Sequence, residues 1–275
     1  METRNYMSST FRYLVFAVFF SLTVSCATSV NGQDAVKPKT SPVPDSEKAA
    51  IEKIVRDYLL THPEVIREAI QALQEKEENQ KKQETSENMK KFNSEIYMDA
   101  DAPVLGNAKG DVTVVVFYDY FCSYCRKTIP GIQDLVAKDA ALKIIYKQFP
   151  ILGSDSLVAA KAALAAERQG KFTAFHQAML ASESASDRAL KSIADKIGLD
   201  YAKFQKDMND PEIANAIARN MTLASSLNVD GTPAYLVGDQ FIPGAISTDA
   251  LAKIVVAQRQ KHTAAEGKKA ATSQK

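Results

Sequence analysis

Most features that would narrow the class of this 275-residue chain at once are scarce or missing. Three cysteines are too few for a disulfide-stapled scaffold. A formal net charge of +1 removes the electrostatic case for nucleic acid as a partner. Eleven glycines and ten prolines exclude a collagenous or low-complexity chain. Only one long apolar run occurs, of about eleven residues, too short to span a bilayer comfortably, so a multi-span membrane protein is excluded. There is no internal repeat and no nucleotide-binding glycine loop. What remains, 45% hydrophobic and 24% charged, is the composition of one large or two modest globular domains.

The apolar run covers residues 14–24 (LVFAVFFSLTV), after Arg4 and Arg12 and before a stretch of small residues. That order is the pattern of a secretory signal, read over residues 1–32, with cleavage after Ala27 or Gly32. Cys26 has two readings: it is discarded with the signal, or it is the lipidated first residue of a mature lipoprotein. Thr23, three places before it, is a weak residue for the second. Both send the chain to the periplasm or cell envelope, where a cysteine pair can cycle.

Residues 33–100 are expected to form a linker and a helical oligomerisation arm. Pro38, Pro42 and Pro44 mark the linker. Asp45 and Ser46 offer an N-cap, and Ile51, Ile54, Val55, Tyr58 and Leu59 follow at helical spacing. Pro63 suits the first turn of a second helix, whose apolar face is Val65, Ile66, Ala69, Ile70 and Leu73. These stripes must bury against something, either their own domain or copies of themselves, and self-association is the favoured reading. Residues 74–91 are almost wholly polar, with Glu–Lys pairs four apart, and read as a solvated helix or tether.

From about residue 101 the texture becomes α/β. Residues 112–118 (VTVVVFY) and 142–149 (LKIIYKQF) read as buried strands on either side of a helix, a βαβ unit. Helices follow through about residues 155–227, with Asp187 and Asp210 as candidate caps. A hairpin across Gly238-Asp239 and a helix over 248–259 complete a domain ending near 260, and residues 261–275 read as a disordered tail.

Cys122-Ser123-Tyr124-Cys125 stands between the first strand and its helix. A helix N-terminus offers free N–H groups and a positive dipole end, and both stabilise a thiolate. Cys122 is expected as the exposed, attacking sulfur and Cys125, one turn on, as the sulfur that resolves a mixed disulfide. Half of a zinc site, a static disulfide and coincidence are the competing readings. With no second cysteine pair and three scattered histidines, no metal site is expected. Thr232-Pro233 precedes a strand, where proline loses a ladder donor, and a cis peptide there turns Thr232 toward the sulfurs and leaves an edge for an extended substrate. His176 reads as a packing or surface histidine rather than a catalyst.

Residues 117–125 (FYDYFCSYC), 147–153 (KQFPILG), 231–234 (GTPA) and 241–245 (FIPGA) resemble, in order, the active-site segment, second-strand exit, cis-proline loop and last hairpin of the DsbA branch of the thioredoxin superfamily. The helical arm with His62-Pro63-Glu64 is similar to that of the exported ScsC-like and Com-type members. The resemblance implies an α/β thioredoxin fold with an inserted helical domain, preceded by an α-helical arm. It implies a protein disulfide oxidoreductase or isomerase with no cofactor beyond the Cys122–Cys125 pair. Cys122 and Cys125 are its catalytic residues, Ser123, Tyr124 and Asp119 its active-site support, with Asp119 expected to cap the Cys122 helix, and Thr232 and Pro233 its substrate-binding residues. Expected partners are unfolded or misfolded cysteine-containing exported proteins, a membrane redox partner and further copies of the chain in a homodimer or homotrimer.

The sequence departs from the branch in three places. Ser-Tyr replaces the Pro-His of strong oxidases, which implies a less oxidising pair. Val116 stands where many relatives carry a buried acid. Thr232, rather than valine, precedes the proline, as in isomerases and reductases. The alternative function, in a different class, is a cell-envelope surface or copper-binding protein that retains the fold.

Overall fold

The computed structural model describes residues 44–273, with side chains through residue 265. The signal segment, Cys26 and the proline-rich linker up to residue 43 lie outside the described residues. Among the described residues no helix is long and apolar enough to cross a membrane. The chain divides into two compact units between His62 and Pro63.

Among the described residues the first unit contributes one helix, α1 (Asp45–Thr61). Pro44, not Asp45 or Ser46, occupies its N-cap, and Asp45 and Glu47 sit in the first turn, where the helix dipole favours them. No residue of α1 is buried, and Ile51, Ile54, Val55, Tyr58 and Leu60 stand exposed.

The second unit opens with α2 (Glu64–Lys91) and the short α3 (Asn93–Tyr97). Then follow β1 (Val104–Gly106), β2 (Val112–Tyr118), α4 (Ser123–Lys138) and β3 (Leu142–Gln148). Five helices come next: α5 (Ser154–Glu167), α6 (Phe172–Leu180), α7 (Asp187–Ile197), α8 (Tyr201–Met208) and α9 (Pro211–Ser226). β4 (Ala234–Val237), β5 (Gln240–Pro243) and α10 (Thr248–Ser273) complete it. The sheet order is β1-β3-β2-β4-β5. β2 and β3 run parallel around the α4 crossover, while β4 pairs antiparallel with β2, bringing Ala234 beside Phe117. This is the thioredoxin arrangement, with α5 to α9 inserted between its halves.

Both faces of the sheet are covered, which explains why β2 is an unbroken apolar run. Val114, Val116 and Tyr118 face α4 and the insert, in a cluster that includes both cysteines. Val115 and Phe117 face the other way, toward Met89 of α2, Ile96 of α3 and Leu223 of α9. On that second face the Lys147 ammonium is buried, donating to Glu95 O at 2.8 Å and pairing with the Asp99 carboxylate. Burial pulls its pKa down against the opposing effect of Asp99. The pair fastens the α3 region to the end of β3.

Four further features differ from the sequence expectation. Residues 74–91 are not a free tether: α2 is continuous to Lys91, and its last turns bury Thr85 and Met89 against the domain. Residues 261–275 were expected as a tail, yet α10 continues to Ser273. The alanines and lysines there are strong helix formers, so a polar stretch extends a helix that is already nucleated. Ser186, not Asp187, caps α7, its Oγ accepting from Ala189 N; Asp210 does cap α9. β1 has no counterpart in the sequence reading, because three residues carry too little alternation to register.

Candidate active site

β2 ends at Tyr118, and the chain turns through Asp119-Tyr120-Phe121 into α4. Cys122 is the N-cap of α4, with extended φ/ψ of −72° and 119°, and Ser123 is the first helical residue. The free N–H groups of the first turn of α4 follow Cys122 directly, and no side chain caps them. Cys125 is fully buried one turn further in. Cys122 is itself only 8% exposed, so the expected exposed sulfur is largely covered. The cover is the loop before β4: Cys122 Sγ donates to Thr232 O at 3.1 Å, and the Thr232–Pro233 peptide is cis. Among the described residues both Cys122 and Cys125 are free thiols.

Burial pushes the Cys125 thiol well above the ordinary range, and the neighbouring Cys122 adds to it. Cys125 thus holds its proton at rest. Tyr235, two residues after Pro233, lies beside the pair. Burial first, then the nearness of Cys125 and Cys122, carries its phenol up to about 12, and its hydroxyl donates to Thr128 Oγ1 of α4 at 3.1 Å.

Asp119 does not cap α4. Its carboxylate is buried and accepts four hydrogen bonds: Oδ1 from Phe121 N and Ser156 Oγ, both at 2.8 Å, and Oδ2 from Ile151 N and Leu152 N at 2.9 and 3.1 Å. It stitches the turn before Cys122 to the loop after β3 and the start of α5. The reason is geometric: the carboxylate is spent on the turn and on the loop after β3, and the helix N-terminus is left to Cys122.

Ser123 is exposed and Tyr124 is 61% exposed, its ring under Lys127. Both sit on the rim of Cys122 without fixing it. Val116 is buried in the core, so no acid reaches the thiols from that position. Phe117, Tyr118 and Tyr120 are core residues, and Phe121 is half-buried. His176 is buried in packing, stacked on Phe172 and hydrogen-bonded through Nδ1 to Tyr120 OH at 2.9 Å. Burial lowers its pKa to about 3, so its ring is neutral.

Sequence reasoning missed Tyr235, Ser156 and Arg126. Arg126 donates from Nε to Tyr120 O and from Nη2 to Ser182 O, each at 2.6 Å, and so clamps the first turn of α4 to the insert. Tyr235 was within reach of the pattern, since it shares a strand face with Pro233. Arg126 and Ser156 leave no local signal, because their partners are distant in sequence. Among the described residues no group of three or more His, Cys, Asp or Glu side chains is arranged to hold a metal ion.

Comparison with known proteins agrees with this geometry. Residues 113–256 match the DSBA-like thioredoxin domain, and residues 47–80 match the copper resistance protein ScsC N-terminal domain. A solved thioredoxin-like oxidoreductase from Silicibacter pomeroyi is 43% identical, with a TM-score of 0.59 over 61% of this chain and 97% of that one. Proteus mirabilis ScsC, in a transitional conformation, is 26% identical, with a TM-score of 0.60 over 80% of this chain and 100% of that one. The thiol:disulfide interchange protein DsbA of Bordetella parapertussis is 28% identical over 158 residues, 54% of this chain and 74% of that protein. The Na(+)/H(+) antiporter NhaA 3 of Salinispora tropica is 29% identical over 156 residues, 56% of this chain; the chain spans only 24% of that protein's length.

Proposed function

This chain belongs to the DSBA-like thioredoxin family, and we propose that it is an ScsC-like thiol–disulfide oxidoreductase that forms or isomerises disulfides in exported proteins. The observation that carries the reading is the Cys122 sulfur at the N-cap of α4, facing the Thr232 carbonyl, with a buried Cys125 behind it.

In the reducing direction the Cys122 thiolate attacks one sulfur of a substrate disulfide. A Cys122–substrate bond forms and one substrate thiolate leaves. Cys125, after losing its proton, attacks Cys122, and the second substrate thiolate departs with two electrons delivered. Oxidation is the reverse, and isomerisation joins the two with no net electron transfer. The α4 N-terminus favours the anionic form of Cys122 in every step. Thr232 and Pro233 are the residues that would lie along an extended substrate segment.

The proposed compartment is the periplasm or cell envelope, supported by the apolar run at residues 14–24. The proposed partners are cysteine-containing exported proteins and a membrane redox protein that resets the pair. Self-association into a homodimer or homotrimer is supported by the exposed apolar residues of α1 and, separately, by Ile66, Ile70 and Leu73 exposed on α2.

Dithiothreitol-driven insulin reduction tests the activity. The mature protein is expected to accelerate it and Cys122→Ser to return it to background. A background rate for the unaltered protein would turn the reading toward the cell-envelope surface or copper-binding alternative, to which the description of the domain matched by residues 47–80 points.

A further inference from the structure

The last turns of α2 are polar, and several of their polar groups bond outside the helix. Thr85 is buried, and a buried mid-helix threonine usually bonds the carbonyl one turn back. Here its hydroxyl donates to Leu227 O at 3.3 Å and accepts from Asn228 Nδ2 at 3.1 Å. One turn on, Asn88 Nδ2 donates to Ser226 O at 2.7 Å; one turn back, Lys81 Nζ pairs with Asp230 Oδ2 at 3.0 Å. Four consecutive contacts from α2 thus fall on residues 226–230. Asn228 holds a left-handed φ of 56°, which costs an asparagine less than most residues. Two residues after Asp230 comes Thr232, whose carbonyl accepts from Cys122 Sγ.

We infer that Thr85 and Asn88 of α2 are positioning residues for the thiol site, acting through residues 226–230 on the Thr232 carbonyl that faces Cys122. The inference rests on the reading of Cys122 as the reacting sulfur. The segment is held as well by backbone closure of α9, in which Leu227 N donates to Leu223 O and Val229 N to Ala224 O, and by burial of Leu227 and Val229 in the core. The side-chain contacts from α2 fix how the chain leaves that closure. While Cys122 is protonated, as in its bond to Thr232 O, a carbonyl held against the thiol stabilises the reduced pair, because the disulfide offers it no S–H. Loosening the segment therefore favours the disulfide.

The test is the equilibrium of the Cys122–Cys125 pair with glutathione, measured in the full mature protein beside urea stability. Thr85→Val keeps the shape and removes the hydroxyl. It is expected to shift the equilibrium toward the disulfide by about threefold, part of one hydrogen bond. Thr85→Ser restores the hydroxyl and is expected to match the unaltered protein. Asn228→Gly keeps the left-handed turn while deleting the amide, and is expected to shift the equilibrium in the same sense even where Thr85→Val folds poorly. Lower stability with an unmoved equilibrium in Thr85→Val and Asn228→Gly would make α2 a structural prop and overturn the inference. An unaltered protein that does not equilibrate with glutathione at all removes the oxidoreductase reading first, and the inference with it.

Discussion

Asp119→Asn changes one atom and sets a number on the turn before Cys122. The carboxylate meets four donors and no positive partner, two donors on each oxygen. An asparagine has one acceptor oxygen and an NH2 in place of the other. Its better orientation keeps the oxygen on Ile151 N and Leu152 N, because Ser156 can rotate its hydroxyl to accept from the new amide. Phe121 N–H then faces another donor. One unpaired buried N–H costs about 1–3 kcal/mol, and the two remaining bonds lose their charge assistance. The sum is about 2–4 kcal/mol, and Asp119→Ala, which strips all four donors, should cost more. Urea unfolding of the reduced protein reads this as a lower midpoint at unchanged slope. Insulin reduction should slow in parallel, since the same bonds hold the loop beside Cys122. A loss below about 0.5 kcal/mol for Asp119→Asn would refute the argument, because that is the range of an unremarkable surface change.

Three further outcomes follow from the same structure. His176 is neutral in the fold, with a pKa held near 3 against an ordinary 6.5, so between those values the unfolded chain binds one more proton. Stability should therefore rise with pH through that window, by about 1.4 kcal/mol per unit, and fall as pH drops from 6.5 toward 3. His176→Phe should remove that share of the pH dependence, and a difference in unfolding free energy between pH 5 and pH 7 that is the same in His176→Phe as in the unaltered protein would contradict it. Replacing Ser123-Tyr124 by Pro-His should make the pair more oxidising in glutathione, and an unmoved equilibrium would remove the argument from the dipeptide. Deleting residues 33–76 takes away the exposed apolar faces of α1 and α2 but leaves Thr85, Asn88 and Met89 docked. The sedimentation coefficient should drop to that of a monomer, and an intact protein that is already monomeric at micromolar concentration would contradict self-association.

The paired strands, the insert helices and the strand–CxxC–helix junction were legible because each rests on a local signal. The run VTVVVFY is apolar on both faces, and the cysteines fall where that run stops. The docking of residues 74–91 was not legible, since threonine and asparagine bonding to distant carbonyls leaves no apolar period. The same holds for Asp119, whose four partners lie 2, 32, 33 and 37 residues away. Its acidity and its place before a helix made a cap the natural reading, and only the approach of the loop after β3 reassigns it. Burial of Cys122 was likewise set from a distance, by a loop 110 residues along the chain.

The central claim is that Cys122 attacks and Cys125 resolves. Cys125→Ser removes the resolving sulfur and leaves the Cys122 N-cap and its Thr232 contact in place. Incubated with a disulfide-containing protein and quenched in acid, it should accumulate a mixed disulfide that mass spectrometry maps to Cys122. Cys122→Ser, treated in the same way, should accumulate none. Capture by Cys122→Ser through Cys125, with nothing on the Cys125→Ser protein, would reverse the roles and contradict the account.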